Sequence, residues 1–281
     1  MADVSARDVA ALRKITGAGM MDCKKALLEN DGDFERAKDW LREKGIAGAA
    51  KREGRAADQG AVEVLVTGGV GAVVELNCET DFVAKGASFG AALSALTRLV
   101  VDEGDSELGA KQLNGESVDD YVKGLSGTLG EKIELGRIFR FETSDGLLDG
   151  YKHVQNERGT VGVLVELGGV DRDDDKVRGV AHDIALHIAS AAPRYVTRDE
   201  VPAEEVARER AIYEAQTKEE GKPEQAWPKI VEGKLNGFYK TVALVEQAFV
   251  KDNKQTIGAV VKALGPDAHV RGFARVKIGE E

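Results

Sequence analysis

Gly71-Ala-Val-Val-Glu-Leu76 and Gly162-Val-Leu-Val-Glu-Leu167 are two copies of one short pattern. They agree at the Gly, one Val, the Glu and the Leu, which is four of six positions. Each copy has the composition of a buried strand, and each is followed by a segment with helical periodicity. An internal repeat predicts related structural units. We therefore expect an α+β fold with two similar lobes, each built on an antiparallel sheet.

The first copy belongs to a predicted β-hairpin. Segments 61–67 and 70–78 are rich in Val and Leu, and Gly68-Gly69 suits a two-residue turn that requires positive φ. A long amphipathic helix follows, because four apolar residues recur at three- and four-residue steps: Phe89, Leu93, Leu96 and Val100. Two shorter helices are predicted after it, around 118–125 and 129–135.

The second copy lies in a series of predicted strands at 137–143, 150–155 and 160–167. A helix follows that places four apolar residues on one face: Val177, Val180, Ile184 and Ile188. Residues 269–278 alternate like a strand that completes the second sheet. Before this strand, charged segments 202–220 and 224–238 flank a Gly-Lys-Pro turn and predict an inserted helical hairpin.

The first 46 residues predict a compact head of three short helices. Three residues are suitable helix N-caps, the first with Asp8 as its capping-box partner: Ser5, Asp22 and Asp33. Val9, Leu12 and Ile15 follow at a helical interval in the first helix. We expect Gly17-Ala18-Gly19 to end that helix and Gly45 to end the third.

These patterns divide the chain into a head, a linker, two lobes and an insertion. The Ala- and Gly-rich segment before the first strand lacks a clear apolar stripe, so it is a predicted linker. Its basic cluster of Lys51, Arg52 and Arg55 is interpreted as a solvated face. The predicted ranges are 1–46 for the head, 47–60 for the linker, 61–137 for the first lobe, 138–198 and 228–281 for the second lobe, and 199–227 for the helical hairpin.

The charge of the chain limits its binding partners. The chain has 281 residues, 39 basic and 49 acidic, which gives a net charge of −10. Unspecific binding to nucleic acid or to an anionic membrane requires clustered positive charge and is therefore disfavoured. No apolar run approaches the ~18 residues of a membrane-spanning helix, and Met1 to Lys14 carry charge where a signal peptide is apolar. We expect a cytoplasmic protein.

The sequence offers no enzyme chemistry of its own. No phosphate-binding glycine loop matches, and His182 and His187 are five residues apart, so one helix face cannot present both to a metal. Cys23 and Cys78 are interpreted as reduced structural thiols, since they form no CxxC pattern and have no His at metal-ligand spacing. Glu79 beside Cys78 would raise the thiol pKa, which disfavours a catalytic cysteine. We expect no metal, no cofactor and no catalytic residue.

Thr80-Asp81-Phe82-Val83 stands out because an aromatic residue directly follows an acid between a strand and a helix. Phe82 could pack beneath its own helix or face outward. The second copy of the repeat continues as Gly168-Gly-Val-Asp171, so the same architecture closes without an aromatic side chain. This difference favours the outward position for Phe82.

Two long stretches of the chain resemble the elongation factor Ts family, the guanine-nucleotide exchange factors of the bacterial GTPase elongation factor Tu. They are Thr16-Gly-Ala-Gly-Met-Met-Asp-Cys-Lys-Lys-Ala-Leu27 and Asn77-Cys-Glu-Thr-Asp-Phe-Val-Ala-Lys85. The resemblance also covers the order of head, lobes, hairpin and final strand. It implies a ubiquitin-associated-like head, two α+β lobes and a hairpin similar to the family's coiled coil.

The resemblance further implies a set of partner-binding residues. Thr80, Asp81, Phe82 and Val83 would meet the GTPase, with Phe82 disturbing its Mg²⁺ and GDP site and Asp81 as the polar companion of Phe82. In the head, Arg13, Met20, Met21 and Lys24 would contact the G domain, although both methionines could instead fill the core. Ile230 and Val231 correspond to another family contact, with packing inside the hairpin as the alternative.

The resemblance therefore implies a nucleotide exchange factor that carries no cofactor and binds elongation factor Tu without contacting nucleic acid or membrane. A helical-head adaptor without exchange activity is the main alternative, and an enzyme is disfavoured because no acid, base and nucleophile converge. Self-association through the hairpin is left open.

Overall fold

The structure, a computed structural model, describes residues 4–16, 18–50 and 52–280. Gly17, expected at the end of the first helix, and Lys51, expected in the basic cluster, lie outside the described residues. The head contains three helices: α1 (Ala6–Thr16), α2 (Met20–Glu29) and α3 (Phe34–Ala50).

Two of the three predicted helix caps are confirmed. Ser5 Oγ accepts the Asp8 N–H at 3.1 Å, and Asp8 Oδ2 accepts the Ser5 N–H at 3.2 Å, which is a reciprocal capping box. Asp33 accepts the Arg36 N–H at 3.0 Å at the start of α3. The cap predicted at Asp22 is wrong, because α2 already begins at Met20 and Gly19 occupies the N-cap position. Asp22 lies in the first turn instead, where a carboxylate is favourable beside the helix dipole.

The first lobe contains a three-stranded antiparallel sheet with the strand order β1-β2-β5. Gly68, with φ of 60°, forms the predicted turn between its first two strands. The predicted helix at 129–135 is wrong, since Gly130 adopts a φ of 79° that ends the preceding helix, and Ile133 begins a strand. The elements are β1 (Gln59–Thr67), β2 (Val70–Cys78), α4 (Asp81–Ala84), α5 (Ala87–Glu103), β3 (Gln112–Leu113), β4 (Glu116–Ser117), α6 (Val118–Leu129) and β5 (Ile133–Glu142).

The second lobe contains a matching antiparallel sheet with the order β10-β7-β6, so the final strand completes it as predicted. Together with the first sheet, this arrangement confirms the α+β class. The elements are β6 (Leu147–Gln155), β7 (Arg158–Gly168), α7 (Asp175–Ala191), α8 (Ala203–Glu219), α9 (Trp227–Val242), β8 (Ala248–Phe249), β9 (Asp252–Thr256), α10 (Ile257–Lys262) and β10 (His269–Lys277).

Two predicted boundaries cut through continuous elements. β5 pairs with β2 over its whole length, from Val70 opposite Glu142 to Cys78 opposite Ile133, so residues 138–142 belong to the first sheet and not the second. Helix α9 runs from residue 227 to 242 and packs against α8, so the predicted second helix at 224–238 exists, whereas the predicted range of the hairpin, 199–227, stops at its first residue. The likeness of these helices to a coiled coil, and of the head to a ubiquitin-associated fold, stays a prediction.

Helix α3 continues through Gly45 to Ala50, so the prediction that Gly45 ends it is wrong. Gly45 lies where α3 crosses α6, and a Cβ on Gly127 would lie only 2.2 Å from the Gly45 Cα. Glycine therefore permits close helix packing here and does not stop the helix. Arg42 forms an ion pair with Glu116 at 3.1 Å beside this crossing. The head is thus packed directly on the first lobe.

The two sheets also pack against each other, and the repeated glycines lie in the contact. A Cβ on Gly71 would lie 3.0 Å from Leu164 Cδ2, and one on Gly162 would lie 3.0 Å from Val73 Cγ1. The shared layer is apolar: Val62, Val73, Leu164, Ala274 and Val276. In the described part of the chain, no helix is both long enough and apolar enough to cross a membrane.

Candidate partner-binding site

Residues 79–86, which we call the Phe82 loop, connect β2 to α5. Thr80 caps the four-residue helix α4, its Oγ1 accepting the Val83 N–H at 3.4 Å. Ala84 is buried and Val83 is partly buried against the core of the first lobe. With these two side chains turned inward, Phe82 points outward and is 82% exposed. The alternative that Phe82 packs beneath its own helix is therefore excluded.

An exposed phenylalanine is unfavourable in water, and nothing in the lobe covers this ring. Lys85 Nζ lies 5.8 Å from the ring centroid. The same Nζ donates to Asp81 Oδ2 at 2.5 Å. This hydrogen bond lowers the pKa of Asp81, so its carboxylate is charged at neutral pH. The loop therefore presents an apolar ring beside an ion pair.

The Phe82 loop is held by residues about fifty positions further along the chain. Glu131 accepts the Thr80 N–H at 2.9 Å and the Thr80 hydroxyl at 2.6 Å. In return, Glu79 accepts the Lys132 N–H at 2.6 Å, and Arg55 contacts the same Glu79 carboxylate at 3.2 Å. The bond from Lys132 is also the main cause of the lowered Glu79 pKa. Sequence reasoning missed these anchors, since only the β2–β5 pairing brings them together.

Cys78 lies beneath the loop as a buried, protonated thiol. Burial, and secondly the charge of Glu131, raises its pKa to about 12. The thiol donates to the Thr80 carbonyl oxygen at 3.1 Å. The predicted rise in pKa is confirmed, but the acid responsible is Glu131 and not Glu79. A thiol with such a pKa is a poor nucleophile at neutral pH.

The head exposes a second apolar surface at the junction of α1 and α2. Met20 is 56% exposed and Met21 is 74% exposed, which excludes the alternative that they fill the core. Arg13 and Lys24 are also exposed. Ile15, expected on the inner face of α1, is 63% exposed instead, because a residue six positions after Val9 lies about 120° from it around the helix. The buried residues of the small core include Val9, Leu12, Cys23, Ala26 and Leu27.

The two hairpin candidates have different surroundings. Val231 on α9 is 2% exposed, so the alternative of packing inside the fold applies to its side chain. Ile230 is only half-buried and keeps some accessible surface. Of this pair, only Ile230 is placed to contact a partner without rearrangement.

The histidines of α7 are separate, as their spacing predicts. His182 Nδ1 lies 3.0 Å from Asp149 Oδ2 at the surface, whereas His187 Nε2 lies 2.8 Å from Gln247 Oε1 in the interior. Within the described ranges, no three His, Cys, Asp or Glu side chains are grouped so that they could hold a metal ion.

The sequence of this chain matches one known protein family. A family model described as Elongation factor TS matches residues 79–280. The chain is 47% identical over 284 residues to Elongation factor Ts of Micrococcus luteus, with 99% of this chain and 100% of the relative covered. It is 46% identical over 285 residues to Elongation factor Ts of Thermobifida fusca, with 100% of both chains covered. The similarity thus extends over the head, both lobes and the Phe82 loop.

Proposed function

This chain belongs to the elongation factor Ts family, and we propose that it acts as a guanine-nucleotide exchange factor that binds GDP-loaded elongation factor Tu in translation elongation. The observation that carries the proposal is the exposed Phe82 ring on a loop anchored from both sides. An anchored apolar side chain without a partner in its own fold is suited to insertion into another protein.

The chemistry of the partner's site explains how such an insertion releases nucleotide. Mg²⁺ requires near-ideal octahedral coordination, so a small displacement of its ligands weakens the binding of both the metal and the GDP phosphates. In this proposal Phe82 displaces the elements that hold Mg²⁺, and Asp81 and Lys85 provide the polar contacts at its edge. Phe82 does not need to touch GDP.

Exchange is then a consequence of linked binding equilibria. A factor that binds the nucleotide-free GTPase more tightly than the loaded one weakens nucleotide binding by the same ratio. No covalent bond is made or broken, so the proposed activity needs no catalytic residue and no cofactor in this chain. Binding of GTP to the nucleotide-free GTPase in the complex would release the factor.

A single side chain buries too little surface to stay inserted in the GTPase by itself, and we propose that other surfaces bind the GTPase and hold Phe82 in place. The apolar residues Met20 and Met21 on α2 would bind the G domain, with Arg13 and Lys24 as charged neighbours. Ile230 on α9 is a further candidate contact. Interfaces of this kind usually bury about 1,200–2,000 Å², far more than one loop provides.

The central experiment is Phe82→Ala, measured as the release of labelled GDP from purified elongation factor Tu. We expect release to slow by about tenfold or more, since burial of a phenylalanine contributes roughly 1.5–3 kcal/mol. The fold should be unchanged because the ring lies outside the core. Val250→Ala, at a residue 52% exposed in the turn between β8 and β9, is the control. Unchanged release by a folded Phe82→Ala protein contradicts the mechanism.

The same assay distinguishes an exchange factor from an adaptor without exchange activity. An adaptor that uses the apolar surface of the head would form a complex with the GTPase but would leave the rate of GDP release unaltered.

We propose the cytoplasm as the site of action, with no direct contact to nucleic acid or membrane, in agreement with the net charge of −10. Self-association through α8 and α9 remains a separate question that a mass measurement answers.

A further inference from the structure

We propose that Glu131 is a positioning residue for exchange: its carboxylate holds Thr80 so that Phe82 stays directed away from the first lobe. This inference rests on the proposed function and names a residue that acts through Thr80, not through the GTPase. Glu131 lies in the short connection between α6 and β5, directly after the glycine that ends α6.

The hydrogen bonds of Thr80 to Glu131 and Val83 restrict its side chain to one orientation. Glu131 Oε2 accepts the backbone N–H at 2.9 Å, and Glu131 Oε1 accepts the hydroxyl proton at 2.6 Å. A threonine hydroxyl has a single proton and two lone pairs. Because the proton is directed to Glu131, a lone pair is free for the Val83 N–H at 3.4 Å. One carboxylate therefore fixes the cap that starts the helix carrying Phe82.

The loop depends on this anchor because α4 cannot be stable by itself. It has four residues, and an isolated helix of that length does not form in water. Phe82 adds no packing energy of its own, since its ring is exposed. Hydrogen bonds of a backbone N–H or hydroxyl to a carboxylate are among the stronger ones in proteins. Glu131 accepts two of them from Thr80, the second residue of the loop.

A second acid makes the anchor reciprocal. Glu79 accepts the Lys132 N–H at 2.6 Å, while Glu131 accepts the Thr80 N–H in the opposite direction. These bonds continue the β2–β5 pairing beyond its last pair, Cys78 opposite Ile133. The Phe82 loop is thus attached at the end of the β2–β5 pair, and its order in the free protein lowers the entropy lost on binding.

The test compares Glu131→Ala and Glu131→Gln with Glu134→Gln in the full-length protein. Glu134 lies shortly after Glu131, at the start of β5, and its carboxylate forms an ion pair with Lys132 Nζ at 2.8 Å, so it controls for the lost charge. We expect Glu131→Ala to lower the maximal rate of GDP release by about tenfold, the size of one lost charge-assisted hydrogen bond. Glu131→Gln keeps one acceptor oxygen and should be intermediate, and Glu134→Gln should match the parent protein.

Hydrogen–deuterium exchange of residues 80–86 in the free protein is the readout that needs no partner. Glu131→Ala should speed the exchange of the Val83 and Ala84 amides by about tenfold, because the cap that protects them is lost. Unchanged protection in Glu131→Ala overturns the inference. If the parent protein fails to accelerate GDP release at all, the proposed function falls, and this exchange measurement alone decides whether Glu131 orders the loop.

A double-mutant cycle separates positioning through Thr80 from a general structural effect. If Glu131 acts through Thr80, the combination of Glu131→Ala with Thr80→Val should slow GDP release no more than the worse single variant. Thr80→Ser keeps the hydroxyl and should retain most of the activity. Fully additive losses in the double variant, or a normal rate for Glu131→Ala, overturn the inference.

Discussion

Phe82 and Phe89 are the same residue type on neighbouring helices and have opposite surroundings. Phe89 is fully buried in the core of the first lobe, where it packs with Leu93 and Leu96, while Phe82 is exposed. Hydrophobic periodicity predicts the position of Phe89, because it begins a regular series along α5. It does not predict that of Phe82. The outward position followed only from comparison with the second lobe, which has no aromatic residue at the matching strand end.

His187 is a buried histidine whose hydrogen bonds define its protonation. The Val250 N–H donates to Nδ1 at 3.3 Å, so Nδ1 must lack a proton and Nε2 must donate to Gln247 Oε1 at 2.8 Å. Burial lowers the His187 pKa below its usual 6.5, and the bond to Gln247 opposes this only in part. The side chain therefore joins α7 to the β8–β9 segment in its neutral form.

The lowered His187 pKa predicts a loss of stability in mild acid. Below pH 6.5 His187 is protonated in the unfolded chain but still neutral in the folded chain. The free energy of unfolding therefore falls as pH decreases through this value. One such group contributes at most about 1.4 kcal/mol per pH unit. Urea unfolding at pH 7.5 and pH 5.5 measures the difference. His187→Gln should be less stable at both values but less sensitive to pH, and an equal sensitivity contradicts the assignment.

Helices and strands with local signals were predicted well, and contacts between distant elements were not. The Ser5 and Asp33 caps, the Gly68 turn and the strand at 269–277 depend on residues close in sequence, and each is confirmed. The role of Gly45 depends on Gly127, which is far along the chain. A glycine that permits close packing and one that ends a helix look alike in a single sequence.

The close crossing of α3 and α6 should make Gly127 intolerant of a side chain. Gly127→Ala would place a Cβ 2.2 Å from the Gly45 Cα, and backbone atoms cannot move away easily. We expect a loss of roughly 1–3 kcal/mol in the free energy of unfolding, the usual cost of overpacking. Gly124→Ala on the same helix meets nothing within 4 Å and is the matched control. It should be neutral or stabilising by about 0.5–1 kcal/mol. Equal stability of both variants would show that the crossing is looser than described.

The residues shared by the two copies of the repeat have matching structural roles in the two sheets. β2 and β7 are the central strands of their sheets, and the repeated glycine of each lies in the contact between the sheets. The repeated glutamates both form ion pairs, Glu75 with Arg137 at 2.7 Å and Glu166 with Arg271 at 3.1 Å. Glu75 is buried and requires such a partner, whereas Glu166 is only partly buried. The sequence predicted the repeat, but the partners lie on other strands and carry no repeat pattern of their own.

Across the whole molecule, helix α6 links the two surfaces proposed to bind the GTPase. Its face packs against α3 of the head, and its C-terminal connection holds the Phe82 loop through Glu131 and Lys132. The position of Met20 and Met21 relative to Phe82 is therefore largely set before binding. A preorganised pair of contacts loses less conformational entropy when the complex forms.

The two surfaces should affect different kinetic quantities. The Met20→Ala, Met21→Ala double variant should raise the factor concentration for half-maximal GDP release by about thirtyfold, since the two truncations together remove roughly 2 kcal/mol of apolar burial. Its maximal rate should stay close to that of the parent protein, because the head contact strengthens every bound state equally. Phe82→Ala should instead lower the maximal rate. Leu28→Ala, also exposed on α2 but at its opposite end, is the control. A double methionine variant with an unchanged half-maximal concentration would remove the head from the interface and leave the Phe82 loop to account for binding.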